Sequence, residues 1–150
     1  MAIDRRTEMS DEETDAFLGS RETGVLSLAR ADDPYAIPIS YGYVASDRQF
    51  YLRSVSTPDS EKRRFVRSGS DAQLVVYDDE DGVYRSVVAT GRLVSIDPDE
   101  LTAADIRQYG AAERPLFEIW PQPKEGLDID LYRLKPETVT GRLAEISRDD

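Results

Sequence analysis

A chain of 150 residues fits one domain with a core large enough to need no covalent staples. It has no cysteine and no histidine, which excludes disulfides, thiolate metal sites, thiol nucleophiles and every imidazole role. Thirty acidic residues against nineteen basic ones give a formal charge of -11, which argues against non-specific nucleic-acid binding.

Residues 1–9 are polar and read as loose chain. Ser10 followed by Glu13 is a capping-box pattern. It opens a short helix to about Leu18, with Phe17 and Leu18 as packing residues and Gly19-Ser20 as its end. Residues 24–29 alternate as a strand, and residues 31–34 turn the chain. Residues 35–44 form the next strand, with Tyr35, Ile37, Ile39, Tyr41 and Tyr43 on one face and Ala36, Pro38, Ser40, Gly42 and Val44 on the other. Pro38 has no N–H to give a ladder, so an edge or a bulge is expected there. A polar turn leads into residues 50–54, where Phe50, Leu52 and Ser54 oppose Tyr51 and Arg53. One face of this hairpin joins a core. The other carries small groups, hydroxyls and an arginine, and forms the floor of a site for a flat polar ligand.

Thr57 as cap and Pro58 at the first helical position start a helix to about Ser68, made locally basic by Lys62, Arg63, Arg64 and Arg67. Residues 71–77 are a strand, followed by an acidic turn over 78–82 that lacks the ligand spacing of a calcium loop. Residues 83–96 are the longest extended run, and Gly91 within it marks a bulge or bend. Asp97, Pro98 and Glu100 start a helix to about Tyr109, stopped by Gly110, and a second short helix spans 113–119. A loop follows from Trp120, which is either a core plug or a lid over a ligand. Residues 131–136 and 139–143 are extended and interrupted at Pro136, and 145–150 read as a tail. Six or so antiparallel strands with short helices between them favour a mainly β fold, a small barrel rather than a doubly wound sheet.

The basic cluster of Arg53, Lys62, Arg63, Arg64 and Arg67 is the sharpest local signal. It can give a phosphate charge-assisted hydrogen bonds, with Arg53 and Ser54 reaching in from the adjacent strand end. The bland alternative is surface charge paired with the many acids. The eight tyrosines are mostly half-buried core or interface residues. Phosphate donors, aromatic rings and small hydroxyls together suit a phosphorylated aromatic cofactor, which also supplies redox chemistry that these side chains lack. No apolar run is long enough to cross a membrane and the N-terminus has no signal-peptide core, so a cytoplasmic location is expected.

At this point the chain resembles the split-barrel flavin-binding superfamily that includes pyridoxamine 5'-phosphate oxidase, and within it the small members related to nitroimidazole-resistance proteins. The marks are Gly24-Val-Leu, Pro38-Ile-Ser-Tyr-Gly-Tyr43, Phe50-Tyr-Leu-Arg-Ser54, Lys62, and Tyr84-Arg-Ser-Val-Val-Ala-Thr-Gly-Arg92. Each is short; their order and spacing carry the likeness, over roughly residues 11–143. The resemblance implies a six-stranded antiparallel split β-barrel of Greek-key type with short peripheral helices, as a single domain over 1–150 with flexible ends at 1–9 and 145–150. It implies a homodimer with FMN in clefts between subunits. The isoalloxazine then lies along Pro38, Ile39, Ser40 and Tyr41, touching backbone groups. Arg53 and Ser54 face the flavin and its tail, Lys62 holds the phosphate with Arg63, Tyr84 and Ser86 approach from either subunit, and Trp120 is a cover. No metal is implied. Only Lys62, Lys124 and Lys135 are lysines. That arginine bias on an acidic surface fits adaptation to a salt-rich cytoplasm, and with the resemblance it implies a haloarchaeal source.

Two departures bear on activity. Nitroimidazole-related members often have a histidine where this chain has Arg53, and arginine is no base near neutral pH. Pyridoxamine phosphate oxidase proper has a longer chain with a basic substrate-binding end, so vitamin B6 synthesis is not expected. The leading expectation is an FMN-dependent oxidoreductase passing electrons through flavin N5 to a small aromatic or quinone-like acceptor, with no nameable catalytic residue. The alternatives are a flavin carrier or sensor without turnover, a reductase using deazaflavin F420, and a cofactor-free structural dimer.

Overall fold

The computed structural model describes residues 4–56, 69–97, 99, 102–103 and 128–146. In chain order the elements are β1 (Asp4–Glu8), α1 (Asp11–Ser20), β2 (Thr23–Arg30), β3 (Asp33–Val44), β4 (Gln49–Ser56), β5 (Asp71–Glu80), β6 (Val83–Ser95) and β7 (Asp128–Ile146). All pairings are antiparallel, in the order β1-β7-β4-β3-β2-β5-β6, with β6 also paired to β7.

Alternation explains the core. Leu26, Leu28, Ile39, Tyr41, Phe50, Leu52, Leu74, Val76, Val87, Ala89, Leu93 and Leu134 all point inward and are buried, with Phe17 and Leu18 of α1 closing over them. The helix begins as the sequence predicts. Ser10 Oγ accepts from the Glu13 amide and a Glu13 carboxylate oxygen accepts from the Ser10 amide, each at 3.1 Å. It is seated by the Met9 amide donating to the Gly141 carbonyl at 2.9 Å. The β2–β3 turn places Ala31 and Asp32 at φ of 49° and 67°, the backbone a two-residue hairpin requires.

The expected six-stranded split barrel with several peripheral helices is corrected. The sheet has seven strands, and the described residues hold one α-helix. The pairings run round a ring, yet they do not make a closed barrel, and strands change partners along their length. β3 pairs with β2 over Asp33–Ser40 and with β4 only over Tyr41–Val44. β2 and β5 share four residue pairs. The row Pro38–Val25–Val75–Val88–Thr140 therefore crosses β3, β2, β5, β6 and β7 without meeting β4. The helix expected over 57–68 lies outside the described residues, as do nearly all of those expected over 97–109 and 113–119. Asp97 does accept from the Asp99 amide at 3.0 Å, as a helix cap would.

Two further differences are local. The polar N-terminal stretch is not loose chain: Asp4–Glu8 pairs with Arg142–Ile146. It was invisible to alternation because backbone ladders need no apolar face. β7 also runs through Pro136 without a break. The register shift falls between Thr90 and Gly91, as the glycine predicts, and leaves Glu137 of β7 without an opposite residue. Pro38 sits where the registers give β3 only β2 as a neighbour, so its missing N–H costs no ladder bond on the side of β4. Among the described residues no helix is long and apolar enough to cross a membrane.

Candidate functional site

On β5, β6 and β7 the residues that alternate away from the core form one outer face. Register places Tyr77 opposite Ser86, Ser86 opposite Arg142, and Arg142 opposite Glu8; Tyr84 lies opposite Ala144. Together with Thr7, Val75, Asp78 and Arg85 these residues line a cavity of about 590 Å³, within the size range of cofactor sites. Two of the predicted site residues, Tyr84 and Ser86, are among them. Tyr77, Arg85, Arg142 and Glu8 were not predicted. Tyr77 was legible as the outward residue of its strand, whereas Arg142 and Glu8 reach the site through pairings between segments far apart in sequence.

The charges around the cavity are arranged in pairs. Arg142 Nη1 lies 2.9 Å from Glu8 Oε1. The Asp78 carboxylate, only 12% exposed, is flanked by Arg21 and by Arg85, the latter at 4.0 Å. Both Asp78 oxygens are buried and lack hydrogen-bond partners, so Coulomb attraction from two guanidiniums holds the charge there. Arg21 in turn packs over the Phe17 ring at 5.4 Å, tying the end of α1 to this edge of the cavity. Tyr77 is 67% exposed, the one large apolar side chain so exposed among the described residues. Two phenol rings, a serine hydroxyl and guanidiniums can stack against a planar ring and hold its polar edge. Binding and orientation are what this set offers.

The Pro38–Tyr41 run lies outside the cavity lining. Ile39 and Tyr41 turn their side chains into the core. The Tyr41 hydroxyl donates to the Leu18 carbonyl at 2.7 Å and its amide to the Glu22 carbonyl at 2.9 Å. Burial pushes that hydroxyl far above its ordinary titration range. Ser40 is buried and Pro38 exposed. Pro38 shares the outer face with Val75 of the cavity, two strand spacings away across Val25, or roughly 10 Å.

Arg53 and Ser54 lie on β4 opposite Leu131 and Asp130. This is the other end of β7. Along β6, Ser86 of the cavity and Val94, which neighbours this region, are eight residues apart, roughly 27 Å. One chain therefore unites Tyr84 with Ser86, sets Pro38 on the same face, and holds Arg53 apart from them. Lys62, Arg63 and Trp120 lie outside the described residues.

Residues 10–143 match the family model of pyridoxamine 5'-phosphate oxidase. No curated protein matches the chain. Solved structures share its fold at low identity. A FAD-binding protein from Mesorhizobium loti is 20% identical, with 97% of this chain and 99% of that one covered at a TM-score of 0.70. The FAD-binding protein from Mycobacterium smegmatis is 17% identical, with 94% and 100% covered at 0.66. A FAD- and heme-binding protein from the same organism is 22% identical, with 97% and 76% covered at 0.68. With most of its length matched by that model, the chain belongs to the pyridoxamine 5'-phosphate oxidase family.

Proposed function

We propose that the protein binds a flavin, FMN in particular, and acts as a flavin-dependent oxidoreductase on a small acceptor. The observation that carries the reading is the 590 Å³ cavity that includes Tyr84 and Ser86, in a chain of a family whose solved fold relatives include proteins described as FAD-binding. The residue types fit the group: aromatic rings and hydroxyls for the isoalloxazine, and Arg53, Lys62 and Arg63 for a phosphate. The flavin supplies electron transfer when bound, while the side chains bind it, orient it and keep water away. FMN is chosen over FAD because the basic residues sit close together in sequence, between Arg53 and Arg67, and over F420 because the longer acidic tail of that cofactor asks for a wider positive groove.

The separation of Arg53 from the cavity supports a homodimer in which one copy brings Pro38–Tyr41 and Arg53 to the Tyr84 and Ser86 of the other. A cytoplasmic, salt-adapted dimer is part of the same proposal. The kinship with nitroimidazole-resistance-related members rests on the sequence marks alone.

Native protein purified under mild conditions should be yellow and release a small molecule with the mass of FMN; a colourless protein that takes up no flavin on titration refutes the reading. Lys62→Ala should weaken FMN binding by about 1.5–3 kcal/mol, the value of a charge-assisted hydrogen bond. A second reading, a flavin carrier or sensor without turnover, is favoured by one observation: the chain has no histidine. Bound FMN that a nicotinamide donor never reduces, with no turnover across quinones and nitroaromatics, would select it.

A further inference from the structure

We propose that the small acceptor taken by this cavity is an aromatic acid of one ring, and that Arg142 holds its carboxylate by exchanging Glu8 for it. That the acid is an electron acceptor rests on the flavin reading; the carboxylate seat does not.

Register lays the cavity floor out in a row. Tyr77, Ser86, Arg142 and Glu8 stand side by side on β5, β6, β7 and β1. Tyr84 precedes Ser86 by two residues on β6, which makes it a diagonal neighbour of Tyr77. Tyr77 thus stands on one side of Ser86 and Arg142 on the other, each one strand spacing away, about 4.8 Å. A single ring resting on Tyr77 and Tyr84 puts a carboxyl substituent over Ser86 and Arg142. Of the two guanidiniums that line the cavity, only Arg142 alternates to this face. Arg85 alternates with the buried Val87 toward the core side, where it flanks Asp78.

Arg142 already holds a carboxylate: Glu8 Oε1 lies 2.9 Å from its Nη1. The two side chains are 55% and 72% exposed. An ion pair so exposed adds little to stability, because water solvates both partners well. A ligand carboxylate can therefore replace Glu8, which returns to solvent at small cost. The incoming acid matches the guanidinium as Glu8 does, two oxygens against two N–H groups. It adds a ring on the tyrosines and a hydrogen bond from the Ser86 hydroxyl, which Glu8, on the far side of Arg142, is not placed to take. The strand beneath Arg142 is held firmly. The Met9 amide donates to the Gly141 carbonyl at 2.9 Å, and a Cβ on Gly141 would lie 2.6 Å from Thr14 Oγ1, so α1 packs directly on β7. The seat is fixed before a ligand arrives, as sites on rigid elements are.

The test uses the full chain with benzoate and its uncharged amide, benzamide, titrated by calorimetry at fixed ionic strength. Wild type should bind benzoate roughly ten- to hundredfold more tightly than benzamide. Arg142→Gln should remove that preference by weakening benzoate alone. Glu8→Gln should tighten benzoate about two- to fivefold, a gain that a merely structural pair would not give. Equal affinity for the two probes in wild type overturns the proposal. So does an Arg142→Gln protein that keeps the preference or loses both probes equally, and so does a Glu8→Gln protein that binds benzoate no better. FMN and riboflavin are titrated beside them. If Arg142→Gln weakens FMN but neither riboflavin nor benzoate, the guanidinium serves the cofactor's phosphate and the proposal falls. The benzoate pattern in a protein that takes up no flavin refutes the flavin reading and leaves the carboxylate seat standing; bound flavin without the benzoate preference does the reverse.

Discussion

A methyl group at residue 91 would have no space. A Cβ built on Gly91 lies 2.0 Å from the Lys135 carbonyl oxygen and 2.7 Å from Pro136 Cα, both backbone atoms of the facing strand. Gly91→Ala should therefore cost about 3 kcal/mol, at the upper end of overpacking effects, read as a lower urea midpoint at unchanged slope. The tyrosines of β3 carry a second prediction. Tyr41 and Tyr43 both have hydroxyls raised well above their ordinary value of 10.0, chiefly by burial, and in Tyr43 also by its 2.6 Å hydrogen bond to Asp15. The folded state thus keeps protons that the unfolded chain loses. Stability should be whole below pH 10 and fall as pH rises beyond it. Denaturant titrations at alkaline pH should show a shallower fall in Tyr43→Phe; an identical slope would reject the assignment. The sequence made these rings legible as one face of a strand. Their acceptors, Leu18 and Asp15 on α1, belong to tertiary packing and were not legible.

Among the elements, α1 shows how far local chemistry reaches. Its start was readable from Ser10 and Glu13 because a capping box is made within four residues. Ser10→Ala should cost about 1 kcal/mol, measured by denaturant unfolding and by loss of helical signal. The Ser10 backbone hydrogen bond, then its side chain, holds the Glu13 carboxyl below its ordinary value. The contribution of the box is present above pH 4.5 and lost as acid protonates Glu13. The strands from β2 to β6 were legible by alternation and by turn residues. β1 was not, since its Asp-Arg-Arg-Thr-Glu sequence has no apolar period. The continuity of β7 through Pro136 was not legible either, because the bulge that absorbs the proline depends on β6.

For the whole molecule, the charge of -11 was plain from composition, and its consequence is testable. If the acidic surface is salt-adapted, dilution from molar to millimolar potassium chloride should lower the thermal midpoint by unscreening like charges; a midpoint that rises on dilution would reject the adaptation. The ring of pairings was only partly legible. A count of strands says nothing of where each one changes partner. Only two of the ten cavity-lining residues were found for the same reason: Tyr84 and Ser86 lie together on one strand, whereas Glu8 and Arg142 meet across most of the chain.

β7 is the last of the seven strands to be made, yet it pairs with β1, β4 and β6. On a translating ribosome those three edges stay open until it emerges, and non-local strands form slowly. A nascent chain paused before residue 128 would carry long bare edges, a natural client for chaperones. A stop codon placed there should yield inclusion bodies rather than a smaller soluble domain.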